Sequence, residues 1–196
     1  MKIYDITQEL LSCEVYPGDA SPQKVRVCDM SEGALYNLTN ISLCTHNGTH
    51  TDAPFHFIKD GKTVDKIPLE KFIGQCRVVS CEGEIGEIDA KNIVRDERGN
   101  ICGRILIKGS ATVSAYAARV FADNEICLLG TELQSVGPEG APMEVHKILL
   151  EKEVVLLEGI RLSEVNDGEY FLCSQPLNIA GSDGAPCRAV LIDFLR

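Results

Sequence analysis

The sequence has 196 residues, with 19 Lys and Arg against 29 Asp and Glu, which gives a formal net charge of −10 at pH 7. The length predicts one domain over residues 1–196, and a content of 44% hydrophobic and 24% charged residues excludes a disordered chain or a coiled coil. Because Lys and Arg form no cluster in this acidic chain, we expect neither nucleic acid nor an anionic membrane surface as a partner.

Strand patterns come first along the chain, and helices alternate with strands in its second half. Runs of β-branched and apolar residues predict the strands, and apolar residues at helical spacing predict the first helix. Pro142 suits the first turn of the second helix. This order predicts a mixed α/β fold with a mixed sheet. The predicted elements are strands at residues 24–29, 38–44, 77–82 and 103–107, a helix at 112–122, a strand at 125–129, a helix from 142 to about 151, and strands at 154–157, 170–173 and 189–194.

The cysteines and the N-terminus bear on the compartment. Nine cysteines are an odd number, and none of them forms a C-x-x-C pair, so we expect small buried hydrophobic residues in a reducing environment. The N-terminus shows no basic stretch followed by an apolar run, which predicts a cytoplasmic location without a signal peptide. No apolar run approaches the roughly 18–20 residues of a membrane span. A thiol-based redox sensor is an alternative that rests only on the cysteine count.

Three of the four histidines lie within eleven residues: His46, His50 and His56. A helix is not expected there, because Asn47-Gly48 is a turn signal and Pro54 opposes helix continuation. We expect a structured loop in which Gly48 permits a tight bend and brings the imidazoles together. Neutral imidazole nitrogens and the Asp52 carboxylate form a mixed nitrogen and oxygen set that suits Zn²⁺ or Mn²⁺, and the two oxygens of Asp52 could bridge two ions.

The fourth histidine, His146, lies about one turn into the predicted helix that begins at Pro142. The strand that follows returns antiparallel to that helix, which places Glu158 at about the level of His146. A carboxylate at the end of a buried strand is costly unless it is paired or binds a metal. Glu144 is a competing carboxylate that the sequence does not exclude.

These residues resemble the metal-dependent cyclase family, whose members include bacterial kynurenine formamidases and isatin hydrolases. The family motif H-x-G-[TA]-H-x-D-x-P-x-H is matched at every fixed position from His46 to His56. The turn Tyr16-Pro17-Gly18-Asp19 is similar to the aromatic-Pro-Gly-Asp turn of the family. The similarity continues through His146, Glu158 and the segment that begins at Gly184, so it covers nearly the whole chain in order.

The resemblance implies a fold, an activity and a site. The fold would be the swivelling β/β/α arrangement of the family, in a chain that is commonly a homodimer. The activity would be hydrolysis of a C–N bond in a small amide, formamide or lactam by metal-activated water, as in an arylformamidase or, alternatively, an isatin hydrolase. One or two divalent ions, Zn²⁺ or Mn²⁺, would be held by His46, His50, Asp52, His146 and Glu158. His56 would be the general acid and base.

The substrate is less well indicated than the family. Kynurenine formamidases tend to carry Trp in the aromatic turn, where it helps to bound the aromatic substrate, whereas this chain has Tyr16 and no Trp. Tyr16 is therefore the candidate substrate-binding residue. A further alternative is a non-catalytic protein in which the metal has a structural role. The presence of His56 argues against this alternative, because a closed structural site needs no additional acid or base.

Overall fold

A mixed sheet of nine strands organises the part of the chain that the structure, a computed structural model, describes: residues 1–138 and 140–194. Its strand order is β1-β13-β11-β5-β7-β9-β10-β4-β12. The contacts between β5, β7, β9 and β10 are parallel, and the other contacts are antiparallel. The strands are β1 (Lys2–Asp5), β2 (Gln23–Cys28), β3 (Leu38–Ser42), β4 (His50–Asp52), β5 (Ile73–Ser80), β6 (Glu84–Ile85), β7 (Arg104–Lys108), β8 (Thr112–Val113), β9 (Leu128–Thr131), β10 (Val155–Glu158), β11 (Gly168–Cys173), β12 (Gly184–Pro186) and β13 (Val190–Asp193).

The parallel strands are buried on both faces. Successive side chains of a strand point to opposite faces, and in β7 the consecutive residues Ile105, Leu106 and Ile107 all have no exposed surface. Ile105 and Ile107 belong to the hydrophobic cluster on one face of the sheet, and Leu106 belongs to the cluster on the other. Such continuous apolar strands are typical of a sheet that is covered on both faces.

Three α-helices of the described chain pack on one face of this sheet: α1 (Glu87–Ile93), α2 (Ala115–Asp123) and α3 (Pro142–Glu151). Phe121 of α2 and Leu149 of α3 are fully buried in the same cluster as Ile105. The Ser114 hydroxyl caps α2 by accepting from the Ala117 N–H at 3.2 Å. Pro142 begins α3, as predicted from its missing N–H and fixed φ.

The strands β10, β4 and β12 bring distant segments of the chain side by side. In the antiparallel β10–β4 pair, Glu158 lies opposite His50, and Leu156 lies opposite Asp52. On the other edge of β4, Gly184 lies opposite Asp52. This register brings three segments together: the histidine motif on β4, the strand β10 that follows α3, and the segment at Gly184.

The predicted mixed α/β fold with a mixed sheet is confirmed, but several elements differ. The helix predicted from residue 112 begins at Ala115, because Thr112–Val113 pairs with β6 and Ser114 is the cap. The strand predicted from residue 125 begins at Leu128, since Glu125 lies in the left-handed region with φ 53°. The segment His50–Asp52, predicted as loop, is a short strand that pairs on both edges. The pattern analysis missed β1, β4, β6, β8, α1 and β12, and it placed the start of β5 four residues late.

The strands β2 and β3 form a separate two-stranded ribbon, here called the arm (Gln23–Ser42). Its strands are exposed almost throughout, and its apolar side chains include Val25 at 62% and Leu35 at 93% exposed. In the part of the chain that the structure covers, no helix has the length and apolar character that crossing a membrane requires.

Candidate metal centre and active site

Four buried side chains from three elements form what we call the inner cluster: His50, Asp52, His146 and Glu158. Their residues are only 1–3% exposed. The Nε2 atom of His50 lies 3.4 Å from Asp52 Oδ1 and 3.5 Å from Glu158 Oε2. The Nε2 atom of His146 lies 3.3 Å from Glu158 Oε1 and 3.6 Å from Asp52 Oδ2. The predicted convergence of His146 and Glu158 therefore exists in the fold.

The charges of the inner cluster perturb one another strongly. Burial lowers the pKa of His50, but the neighbouring carboxylates of Asp52 and Glu158 outweigh this effect and raise that pKa to about 10. For His146, burial is likewise outweighed by Glu158 and Asp52, and its pKa rises to about 9. Burial raises the pKa of Asp52, yet His46 and His50 hold it well below the usual range. Buried carboxylates of this kind need cationic partners.

The geometry of the inner cluster fits a metal ion. The Oδ2 atom of Asp52 is buried without a hydrogen-bond partner among the described residues. The nitrogen–oxygen separations of 3.3–3.6 Å are long for hydrogen bonds. Ligand atoms about 2.1 Å from a tetrahedral ion lie about 3.4 Å apart, which matches these separations. Two candidate ligand groups share Asp52, one with His46 and His50, the other with His146 and Glu158.

Three partly buried side chains beside the inner cluster form what we call the outer cluster: His46, His56 and Asp183. The Nδ1 atom of His46 lies 2.8 Å from Asp52 Oδ1, and its Nε2 atom lies 3.1 Å from Asp183 Oδ2. His56 is on a short 3₁₀ turn, Pro54–His56, and its Nδ1 atom lies 3.5 Å from the same Asp183 oxygen. Burial lowers the pKa of His56, which favours the neutral ring. The same three residues are a third candidate ligand group.

Two glycines allow the backbone to approach these histidines. Gly48 has φ 65°, so it supplies the tight bend that was predicted from the sequence. A Cβ atom at Gly184 would lie 2.7 Å from the Thr51 carbonyl oxygen and 2.8 Å from His46 Cε1. Only glycine therefore fits between β4 and the His46 ring.

The inner cluster and the two histidines of the outer cluster line one cavity with a volume of about 260 Å³. Tyr16, which is 37% exposed, lies on its wall. The turn that carries Tyr16 is closed by a hydrogen bond from the Asp19 N–H to the Tyr16 carbonyl oxygen at 3.0 Å. The described lining residues include no Lys or Arg. They are Tyr16, Asp19, His46, His50, Asp52, His56, Phe57, Gln134, Ser135, Pro142, His146 and Glu158.

All of the predicted site residues meet in or beside this cavity, and the competing carboxylate does not. The Glu144 side chain is 63% exposed and pairs with Arg119 at 3.1 Å. Sequence analysis missed Asp183. The motif contains no signal for Asp183, although it immediately precedes the Gly184 segment that carried part of the resemblance.

The cysteines are less buried than predicted. All nine are free thiols, and only Cys76 and Cys187 are buried while the other seven are partly exposed. Burial raises the pKa of each of the two buried thiols to about 12. These two thiols are therefore poor nucleophiles in the folded chain.

Comparison with known proteins assigns the chain to a family. The profile of the putative cyclase family matches residues 4–138. A kynurenine formamidase from Erythrobacter litoralis (strain HTCC2594) is 33% identical over 97% of this chain and 93% of that protein. The chain belongs to the cyclase family. The predicted resemblance is thereby confirmed for nearly the full length of the sequence.

Two further cyclase-family comparisons agree with this assignment. A kynurenine formamidase from Salinibacter ruber (strain DSM 13855 / M31) is 34% identical and covers 98% of both chains. The solved structure of a potential metal-dependent hydrolase with cyclase activity superposes with a TM-score of 0.80 at 27% identity. That match covers 97% of this chain and 96% of the other. The family fold that the resemblance implied is therefore shared along the whole chain.

Proposed function

We propose that this cyclase-family chain is a metal-dependent hydrolase that cleaves the C–N bond of a small amide, with an aryl formamide as the first candidate substrate. The observation that carries the proposal is the unpartnered Asp52 Oδ2 atom inside a buried set of imidazole and carboxylate groups. The kynurenine formamidase names of two relatives at 33% and 34% identity support the choice of a formamide.

The proposed metal site uses five side chains: His46, His50, Asp52, His146 and Glu158. Because Asp52 belongs both to the group with His46 and His50 and to the group with His146 and Glu158, it could bridge two divalent ions, and we propose Zn²⁺ or Mn²⁺ from the nitrogen and oxygen donors. When bound, such an ion supplies Lewis acidity, which lowers the pKa of water and polarises a carbonyl oxygen.

The residues of the chain would divide the remaining work. His56 would act as general base and acid, since its lowered pKa keeps the ring able to accept a proton near neutral pH. Its proton would pass to the leaving nitrogen of the substrate. Tyr16 would bound the substrate on the cavity wall. Phe57 packs edge-on against His56 at 4.4 Å between ring centroids and would limit the access of water.

The proposal is tested by turnover of N-formylkynurenine, and of a neutral aryl formamide beside it, with protein loaded with Zn²⁺ or Mn²⁺. The neutral compound is included because the described lining residues offer a substrate carboxylate no Lys or Arg. Turnover that disappears on chelation supports the formamidase. If metal-loaded protein hydrolyses neither compound, formamides are dismissed, and isatin and other cyclic amides are tested next.

We further propose that a second copy of this chain covers the arm. An isolated two-stranded ribbon is marginally stable in water, and the arm exposes Val25, Leu35 and Ile41 by more than half of their surface. We expect wild-type chain to elute as a dimer in size-exclusion chromatography with light scattering. A Leu35→Lys/Ile41→Lys variant should shift toward the monomer mass, and an unshifted dimer would move the interface elsewhere.

We propose a cytoplasmic location, which is the one predicted from the sequence. Nine free thiols in the described part of the chain support a reducing compartment.

A further inference from the structure

Each histidine of the proposed metal site has one ring nitrogen directed at Asp52 or Glu158 and the other on a fixed acceptor. For His50 the acceptor is the Gly48 carbonyl oxygen, 3.1 Å from Nδ1. For His146 it is the Pro142 carbonyl oxygen, 2.8 Å from Nδ1. A carbonyl only accepts, so Nδ1 carries a proton in both rings, and Nε2 is the ring atom that is directed at the carboxylates.

His46 follows the same pattern with its nitrogens exchanged and with a side chain as the acceptor. Its Nδ1 atom lies 2.8 Å from Asp52 Oδ1, on the metal side. Its Nε2 atom lies 3.1 Å from Asp183 Oδ2. Asp183 therefore holds the position that backbone carbonyls hold for the other two rings. Unlike a carbonyl, this acceptor can be changed by substitution.

The same carboxylate reaches the proposed acid and base. Asp183 Oδ2 lies 3.5 Å from His56 Nδ1, and the His46 and His56 rings stack with centroids 4.1 Å apart. The other oxygen, Oδ1, accepts from the Thr45 hydroxyl at 3.2 Å. Thr45, the residue before His46, thus holds one oxygen of Asp183. The other oxygen of Asp183 contacts both histidines of the outer cluster.

We propose that Asp183 is a positioning residue that fixes His46 in the tautomer with hydrogen on Nε2 and sets the orientation of the His56 ring. The metal-directed part of this proposal rests on the proposed function. An acceptor on the second ring nitrogen raises the basicity of a histidine ligand and fixes its ring, and loss of such a partner typically costs 10–100-fold in metal affinity or activity. Asp183 would thereby couple the metal site to the acid and base.

The test compares Asp183→Ala and Asp183→Asn with wild-type chain. Zn²⁺ affinity is measured by chelator competition. The values of kcat and KM are measured with the best formamide substrate at saturating Zn²⁺. The His46 Nε2–H signal is measured by long-range ¹H–¹⁵N NMR of metal-free protein. We expect Asp183→Ala to weaken Zn²⁺ binding about 10–100-fold, to lower kcat with KM little changed, and to lose the NMR signal. Asp183→Asn should regain most of the Zn²⁺ affinity, because its amide oxygen still accepts from Nε2–H.

Ser182→Ala is the matched control in the same loop: the Ser182 hydroxyl donates to the Gly184 carbonyl oxygen at 2.7 Å, and its distance of 3.4 Å to Asp183 Oδ1 is beyond the usual range of an O–H···O hydrogen bond. It should stay within about twofold of wild type. The proposal is overturned if Asp183→Ala keeps both the wild-type Zn²⁺ affinity and the Nε2–H signal, or if Ser182→Ala reproduces its losses. If wild-type chain binds no Zn²⁺, the proposed function fails, and the NMR signal alone decides whether Asp183 holds His46.

Discussion

The inner cluster contains Asp52, and the outer cluster contacts Asp52 through His46. The two clusters differ in how the fold holds them. The inner histidines and carboxylates lie on β4, β10 and α3 and are 1–3% exposed, and backbone carbonyl oxygens hold both histidines. Even the Glu158 carboxylate accepts a backbone N–H, from Val136 at 2.8 Å. The outer cluster lies on turns and loops, and the Asp183 side chain is 40% exposed. A rigid inner part suits metal binding, and a more accessible outer part suits proton transfer to a substrate.

The largest effect should come from Asp52→Ala, which removes the residue common to two of the three candidate ligand groups. We expect Zn²⁺ affinity to fall by at least about 100-fold and turnover to be lost, because the loss of a ligand should cost at least as much as the loss of a residue that orients one, which is typically 10–100-fold. Chelator competition and a formamidase assay measure both.

Glu144→Ala is the control for that change, because it removes an exposed carboxylate of α3 that pairs with Arg119. It should leave metal affinity and turnover at wild-type values. Wild-type metal affinity in Asp52→Ala would show that the inner cluster is not the metal site.

The next largest effect should separate the two clusters. In His56→Ala, metal affinity should stay within a few-fold of wild type, while kcat falls by roughly 10²–10⁴-fold because general acid and base catalysis is lost. Metal content by elemental analysis is measured beside turnover. Full turnover with metal retained would remove His56 from the mechanism, and loss of metal would make it a ligand.

A smaller effect is expected at the pocket wall. Tyr16→Ala should raise KM for an aryl formamide by roughly tenfold. This value is the low end of the range for loss of an apolar contact, and we expect it because Tyr16 is partly exposed. Metal affinity should not change. Tyr16→Phe serves as the matched control, since it keeps the ring, and a KM equal to that of Tyr16→Ala would show that the hydroxyl rather than the ring binds the substrate.

The smallest effect concerns thiols outside both clusters. With pKa values raised to about 12, Cys76 and Cys187 should be thiolate at only about one part in 10⁴ at pH 8. Iodoacetamide at pH 8 should leave both unmodified in folded chain and label them after denaturation, as read by peptide mass spectrometry. Rapid native labelling of Cys187 would show that β12 opens in solution.

The sequence by itself determined the family, the α/β class and most of the candidate site. The motif from His46 to His56 is local, so its spacing alone indicates the chemistry, and α3 was predictable from Pro142 and its apolar pattern. The link between His146 and Glu158 followed from helix and strand lengths, which fix how far the chain returns.

Only the tertiary structure decided what depends on pairing between distant strands. The segment His50–Asp52 is a strand because β10 and β12 supply hydrogen bonds on both of its edges, more than 100 residues away in sequence. The same pairing brings Asp183 to His46 across 137 positions. The packing of α3 leaves the Glu144 side chain 63% exposed beside Arg119. Local patterns carry no information about such register, because it arises from packing of the whole sheet.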